Sequence, residues 1–152
     1  MKNTIIWIML ALISGALLGK ITFNKYKKVD SVNVMKDNNM VYMLKYASFA
    51  NEDEMYDNTV GIDRYVYIQT DDKITVYISI TKTKDNAEKM QKVYLNKNIN
   101  TTIEKVNIDN TEFIQNLTEY EKLLSVAEDD KSLLIIENQI LSCYEQVVVN
   151  NE

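Results

Sequence analysis

An uncharged apolar segment from Thr4 to Leu18 constrains this chain more than any other feature of its sequence. The apolar character continues past Lys20 to Phe23, giving a span of 20 residues. That is about the length at which a helix crosses a hydrocarbon layer of roughly 30 Å. We therefore expect residues 1–23 to form a transmembrane anchor, with the Lys20 ammonium reaching to the interface.

A cleaved signal peptide is the alternative for the same segment, because a basic start and the small residues at 14–16 are typical of one. No A-x-A-like site follows, and the lysines that come next resemble the flank of an anchor. These lysines outnumber the basic groups ahead of the segment. By the positive-inside rule they would place the following domain in the cytoplasm.

The charge of the chain excludes one class of partner. Five lysines precede Asp30, and all 22 acidic residues lie at or after it, so the remainder carries 12 basic residues and a net charge of about −10. Such a domain repels phosphate backbones, and we expect no nucleic-acid partner.

The residue types that are missing limit the chemistry of the chain. There is no histidine and Cys143 is the only cysteine, which removes the commonest general base, the commonest metal ligand and any intrachain disulfide. The acidic run at residues 52–54 suits the first turn of a helix better than a metal site, and Cys143 suits a buried thiol. A carboxylate pair could cleave a glycan, but no spacing singles one out. We expect no catalytic residues, no metal and no cofactor.

Hydrophobic periodicity predicts an α+β domain over residues 40–108, after a polar linker at 24–39. Alternating residues predict strands at Val41–Phe49, Arg64–Gln69, Lys73–Thr81 and Ile103–Ile108, with the middle two joined as a hairpin. Helices are predicted from Asn51 and from Asp85. The resulting order, βαββαβ, is that of a split βαβ domain.

Two further apolar stripes predict a helical hairpin over residues 109–150. The first runs from Phe113 to Leu124 and the second from Leu133 to Val148, both at helical spacing. The acidic run at 128–130 separates them and predicts the turn.

Alternation along the predicted hairpin assigns its side chains to two sheet faces. One face is aliphatic and is expected to meet the helices, whereas the other carries tyrosines and small polar groups. The candidate ligand-binding residues on this second face are Lys45, Phe49, Tyr65, Tyr67, Tyr77 and Ser79. Aromatic rings can cover the C–H faces of sugars while hydroxyls and amides bind their polar groups, so the pattern favours a carbohydrate ligand. The alternative is burial of this face under the C-terminal helices, whose apolar stripes need a surface.

The stretch from Met43 to Val106 resembles a sporulation-related repeat (SPOR) domain. Its first strand, LKYASF, is similar to the apolar-Gln-apolar-Gly-x-aromatic strand of that family, and VYISITKTKDNAEKM is similar to the family's second hairpin strand and following helix. Lys45 stands where the family often has glutamine, and Ala47 and Ser79 stand where it has glycine. The resemblance implies the βαββαβ fold and non-catalytic binding of peptidoglycan, with a preference for glycan strands stripped of stem peptides.

The resemblance also implies a location and a set of partners. It places the chain in a bacterial cytoplasmic membrane as a single-pass protein of the cell envelope, acting in cell division or sporulation. Its soluble domain would be extracytoplasmic, contrary to the lysine count. The expected partners are the membrane and peptidoglycan glycan strands, and the C-terminal helices could contact another protein. The alternative is a membrane-tethered scaffold that kept the fold without glycan binding.

Overall fold

The computed structural model describes residues 39–149 and has the α+β element order that the sequence predicts. The elements are β1 Met40–Phe49, α1 Glu52–Thr59, β2 Val66–Gln69, β3 Ile74–Thr81, α2 Lys84–Asn96, β4 Thr102–Asn107, α3 Thr111–Val126 and α4 Asp130–Val147. The predicted anchor, and the predicted linker up to residue 38, lie outside the described residues. Within residues 39–149, no helix has both the length and the apolar character needed to cross a membrane.

The four strands form one antiparallel sheet in the order β2-β3-β1-β4. β3 lies between β1 and β2, and β1 lies between β3 and β4, so each β-α-β connection passes over one antiparallel strand. This is the split βαβ arrangement. The described part of the chain thus confirms the α+β class, with a four-stranded antiparallel sheet and four helices.

The helices begin where side-chain caps are available. The residue before each helix accepts a hydrogen bond from the backbone N–H three positions on, namely Asn51 for α1, Thr83 for α2, Asn110 for α3 and Asp129 for α4. Such caps satisfy N–H groups that the first helical turn leaves without partners. The Thr83 cap explains why α2 begins at Lys84, one residue earlier than predicted.

All eight residues of β3 are buried. Because successive side chains of a strand point to opposite faces, both faces of the sheet are covered along β3. Helices α2 and α4 both pack against this strand. In addition, Tyr46 of β1 and Ile78 of β3 have no partner in the pairing of these two strands. These irregularities interrupt the strict alternation of side chains between the two sheet faces that the sequence predicts.

Side chains from two helices complete the edge of β3 that the short β2 leaves open. β2 begins at Val66, opposite Tyr77, so its pairing with β3 goes no further along β3 than Tyr77. Beyond Tyr77, the Ile78 carbonyl accepts a 2.7 Å hydrogen bond from the Tyr94 hydroxyl of α2, and the Ile80 N–H donates a 2.7 Å hydrogen bond to the Glu137 carboxyl group of α4. These bonds cap backbone groups that would otherwise be unpaired.

The C-terminal hairpin shares the core of the sheet domain. The Phe113 ring of α3 meets Tyr144 of α4 edge-on, with ring centroids 5.3 Å apart. The Lys89 ammonium of α2 donates hydrogen bonds to the carbonyls of Leu124 and Ala127 at the end of α3. The hairpin is therefore fixed to α2 as well as to β3.

Candidate functional site

A groove of about 650 Å³ opens between β2, the end of β4 and the C-terminal end of α4. The residues that line it include Tyr67, Gln69, Asn107, Asp109, Tyr144 and Val148. Since β2 and β4 are the two edge strands of the sheet, the groove extends from one edge toward the other. This shape suits an extended ligand.

The exposed aromatic and amide groups of the groove lie on the two edge strands, β2 and β4. Tyr67, 41% exposed, lies within β2. Gln69 is exposed at the end of β2, where a tight turn closed by the Thr70 N–H and the Lys73 carbonyl at 2.9 Å leads into β3. Asn107 is exposed at the end of β4. The groove thus presents one ring and two amides to solvent.

The other wall is built by the segment between β4 and α3. The Asp109 carboxylate accepts a hydrogen bond from the Asn39 side chain at 3.4 Å. The neighbouring Asn110 caps α3 with its oxygen and donates from its amide to the Val147 carbonyl at 3.0 Å. Asn110 therefore holds the start of α3 against the end of α4 and fixes the width of the groove at this point.

Two predicted site residues meet through a third side chain. The carboxylate of Glu104 accepts a hydrogen bond from the Lys45 ammonium at 3.2 Å and from the Tyr77 hydroxyl at 2.8 Å. Burial, helped by this bond to Glu104, raises the pKa of the Tyr77 phenol well above its ordinary value. Tyr77 therefore stays protonated and acts as a donor to Glu104.

The expectation of an open face at Tyr77 and Ser79 is corrected by the structure. Tyr77 is 6% exposed and Ser79 has no exposed surface. The cause is α4, which packs on β3 and brings Tyr144 into electrostatic range of Tyr77. At these two residues the C-terminal helices cover the sheet face, which is the alternative given above from the sequence.

The remaining predicted residues are divided between surface and core. Phe49 is buried, with its ring 6.5 Å from that of Tyr46. Tyr65 is half-buried just before β2, and Tyr67 lines the groove. The six predicted residues therefore do not share one open surface.

Sequence reasoning missed most of the groove and one exposed tyrosine. Asn107 is the last residue of β4 and Asp109 follows it, on either side of the buried Ile108; these polar residues at the strand end are the local signal that could have found them. Tyr56, 53% exposed on α1, has its pKa raised first by the nearby Glu52 carboxylate and also by Tyr67 and Tyr65. Tyr56 is thus an exposed ring on α1 that is not among the residues lining the groove.

Tyr77→Phe should lower the free energy of unfolding by about 1 kcal/mol, because the variant loses the hydrogen bond to Glu104. Urea denaturation of the full chain measures this. Tyr67→Phe is the matched control and should change stability by less than about 0.5 kcal/mol, since the Tyr67 side chain is exposed. Equal losses in the two variants would contradict a specific role for the Tyr77 hydroxyl.

Comparison of the chain with protein-family models, with curated proteins and with solved structures gave no match. Within residues 39–149, no three cysteine or carboxylate side chains are grouped so that they could hold a metal ion.

Proposed function

We propose that this chain is a membrane-anchored protein of the bacterial cell envelope that binds peptidoglycan glycan strands without cleaving them, in cell division or sporulation. The observation that carries the proposal is the groove, in which the exposed Tyr67 ring lies among amide and carboxylate side chains. The split βαβ order and the resemblance of residues 43–106 to SPOR domains support it.

The groove offers the two kinds of contact that a sugar requires. The Tyr67 ring can stack on a C–H face, while the amides of Gln69 and Asn107 can bind hydroxyl and N-acetyl groups. A ligand that follows the groove between the edge strands would be a strand of several sugars rather than one.

The carboxylates near the groove favour binding over cleavage. Glycoside hydrolysis generally needs two carboxyl groups on either side of the scissile bond. Asp109 is the only carboxylate among the described residues that line the groove. The groove therefore supplies hydrogen-bond acceptors without the pair that an acid-base mechanism would use.

A membrane-tethered scaffold is the second candidate. It is favoured by the burial of Tyr77 and Ser79, since a sheet covered by its own helices has lost part of the face that the strand alternation offered to a carbohydrate ligand. In that case the partner would be a protein and the groove would have no role in glycan binding.

Retention of the purified full chain on sacculi tests the first candidate. Treatment of the sacculi with an amidase, which strips stem peptides, should increase retention. Tyr67→Ala should weaken retention about tenfold, the change expected when a stacking aromatic ring is removed. Tyr56→Ala is the matched control, because Tyr56 is exposed but is not among the residues lining the groove.

The outcomes separate the two candidates. Amidase-dependent retention that falls in Tyr67→Ala and persists in Tyr56→Ala supports glycan binding in the groove. Equal losses in both variants would indicate non-specific adhesion of exposed tyrosines. No retention above that of an unrelated membrane protein would reject glycan binding and leave the scaffold.

A further inference from the structure

The lining of the groove between the two edge strands is negatively charged. Asp109 is the only charged side chain among the described residues that line it, and Asp109 is exposed there. Its carboxylate accepts a hydrogen bond from the Asn39 amide at 3.4 Å, which is long for an N–H···O bond. Because a carboxylate has about four acceptor positions, Asp109 can accept further hydrogen bonds from a ligand.

The charges just outside the lining do not offset that of Asp109. The nearest charged residues before and after it in the sequence are Lys105 and Glu112, one of each sign. The turn at residues 71–73, beyond the end of β2, holds two aspartates and one lysine. Two ion pairs on the neighbouring elements are each neutral in sum, namely Lys45 with Glu104 and Arg64 with Glu145. The groove therefore keeps an excess of negative charge.

The two helix ends at the groove also oppose each other. α3 begins directly after Asn110 and α4 ends at Val147, and both Asn110 and Val148 line the groove. A helix carries a partial positive charge at its N-terminus and a partial negative charge of similar size at its C-terminus. The Asn110 amide joins these ends through its hydrogen bond to the Val147 carbonyl. Since the two partial charges lie side by side, the full charge of Asp109 determines the sign of the potential in the groove.

We propose that the groove selects a neutral sugar, N-acetylglucosamine, at Asp109 and disfavours N-acetylmuramic acid, whose lactyl carboxylate is free once the stem peptide is removed. This inference rests on the proposed glycan-binding function. The Asp109 carboxylate can accept a hydrogen bond from the amide N–H or a hydroxyl of the neutral sugar. It repels the carboxylate of the acidic sugar, and water at the surface weakens this repulsion without removing it.

Selection at Asp109 sets the register of a stripped glycan strand in the groove. N-acetylglucosamine alternates with N-acetylmuramic acid in such a strand, so every second sugar bears a carboxylate. The strand binds in the registers that place N-acetylglucosamine at Asp109, and a shift by one sugar brings two carboxylates together. Oligosaccharides of N-acetylglucosamine alone have no unfavourable register, and we expect them to bind as well.

Titration of the full chain in detergent micelles with three tetrasaccharides, followed by nuclear magnetic resonance, tests the proposal. The first is chitotetraose, the second is the stripped glycan tetrasaccharide, and the third is its methyl ester, which lacks the negative charges. The side-chain amide signals of Gln69 and Asn107 report binding in the groove. At pH 7 and low ionic strength, the free acid should bind about threefold more weakly than its ester, because half of its registers are lost and its other carboxylates lie within the Debye length of Asp109. High salt should reduce this difference.

Two variants assign the difference to one side chain. Asp109→Asn keeps an acceptor for Asn39 and removes the charge, so it should bind the acid and the ester equally. Asp53→Asn, at an exposed position of α1 outside the groove lining, should keep the threefold difference. Equal binding of acid and ester by the natural chain, or a difference that persists in Asp109→Asn, overturns the selection and leaves glycan binding in place. If none of the three tetrasaccharides gives saturable shifts, glycan binding in the groove is rejected together with the selection.

Discussion

Raising the pH from 5 to 8 should destabilise this domain by about 3–4 kcal/mol through one carboxyl group, that of Glu137. Glu137 lies on α4 with no exposed surface. Burial raises its pKa to about 8, the hydrogen bond from the Ile80 N–H opposes this rise, and the nearby Glu121 carboxylate adds to it. The carboxyl group is therefore largely protonated in the folded protein at neutral pH.

The sign of the effect follows from the two protonation states. In the unfolded chain Glu137 ionises near its ordinary pKa of 4.5, whereas in the folded chain it holds its proton up to about pH 8. Between these values the folded state binds more protons than the unfolded state. The stability that the neutral carboxyl gives is complete below about pH 4.5 and is lost as the pH rises toward 8.

Glu137→Gln isolates this contribution. Glutamine has nearly the shape of the protonated carboxyl group and cannot ionise, so the variant should lose the pH dependence due to this site. Urea unfolding of both proteins at pH 5, 6, 7 and 8 should show the natural chain becoming progressively less stable relative to the variant. Glu119→Gln, on the exposed face of α3, should leave the pH dependence unchanged. Parallel curves for the natural chain and Glu137→Gln would contradict a neutral Glu137.

The secondary structure can be predicted well from the sequence, because strands and helices depend on local patterns of residues. Alternation gives the four strands, helical spacing gives the hairpin of α3 and α4, and Asn51 is recognisable as a cap ahead of an acidic turn. These features depend on residues a few positions apart. The helix boundaries move by a residue or so because caps such as Thr83 compete with their neighbours.

The candidate site was harder to predict because it depends on where the hairpin packs. The position of α4 decides that Tyr77 is buried while Tyr67 is exposed, although both alternate with aliphatic residues in their strands. The groove needs the polar residues at the end of β4 and the end of α4 to meet β2. Those segments are distant in the sequence, and no local pattern connects them.

The buried carboxyl groups of Glu121 and Glu137 also could not be predicted from local patterns. By residue type, Glu121 and Glu137 would be placed in water on the outer faces of their helices. The structure buries both, because each accepts backbone N–H groups at or beyond the end of β3, where no neighbouring strand can do so. Their importance could not be seen without knowing that the pairing of β2 with β3 stops at Tyr77.

Glu121→Ala should lower the free energy of unfolding by about 3 kcal/mol, a large loss for one side chain. Its carboxylate accepts hydrogen bonds from the Lys82 N–H, from the Thr83 hydroxyl at 2.9 Å and from the Asn86 amide at 2.7 Å. Removing it leaves donors unpaired at a site that is 8% exposed. Hydrogen bonds to a charged acceptor are stronger than neutral ones, and buried donors without partners add a further cost.

Glu119→Ala is the matched control for this substitution. It removes a carboxylate from the same helix, but the Glu119 side chain is 52% exposed and pairs only with Lys122 at i,i+3, so its loss should cost less than about 0.5 kcal/mol. Hydrogen exchange gives an independent measurement, since the Lys82 amide should exchange faster in Glu121→Ala than in Glu119→Ala. The two variants could instead unfold at the same urea concentration and protect the Lys82 amide equally from exchange. That result would mean that α3 is held to the sheet by apolar packing alone, and that Glu121 does not join α3 to the junction between β3 and α2.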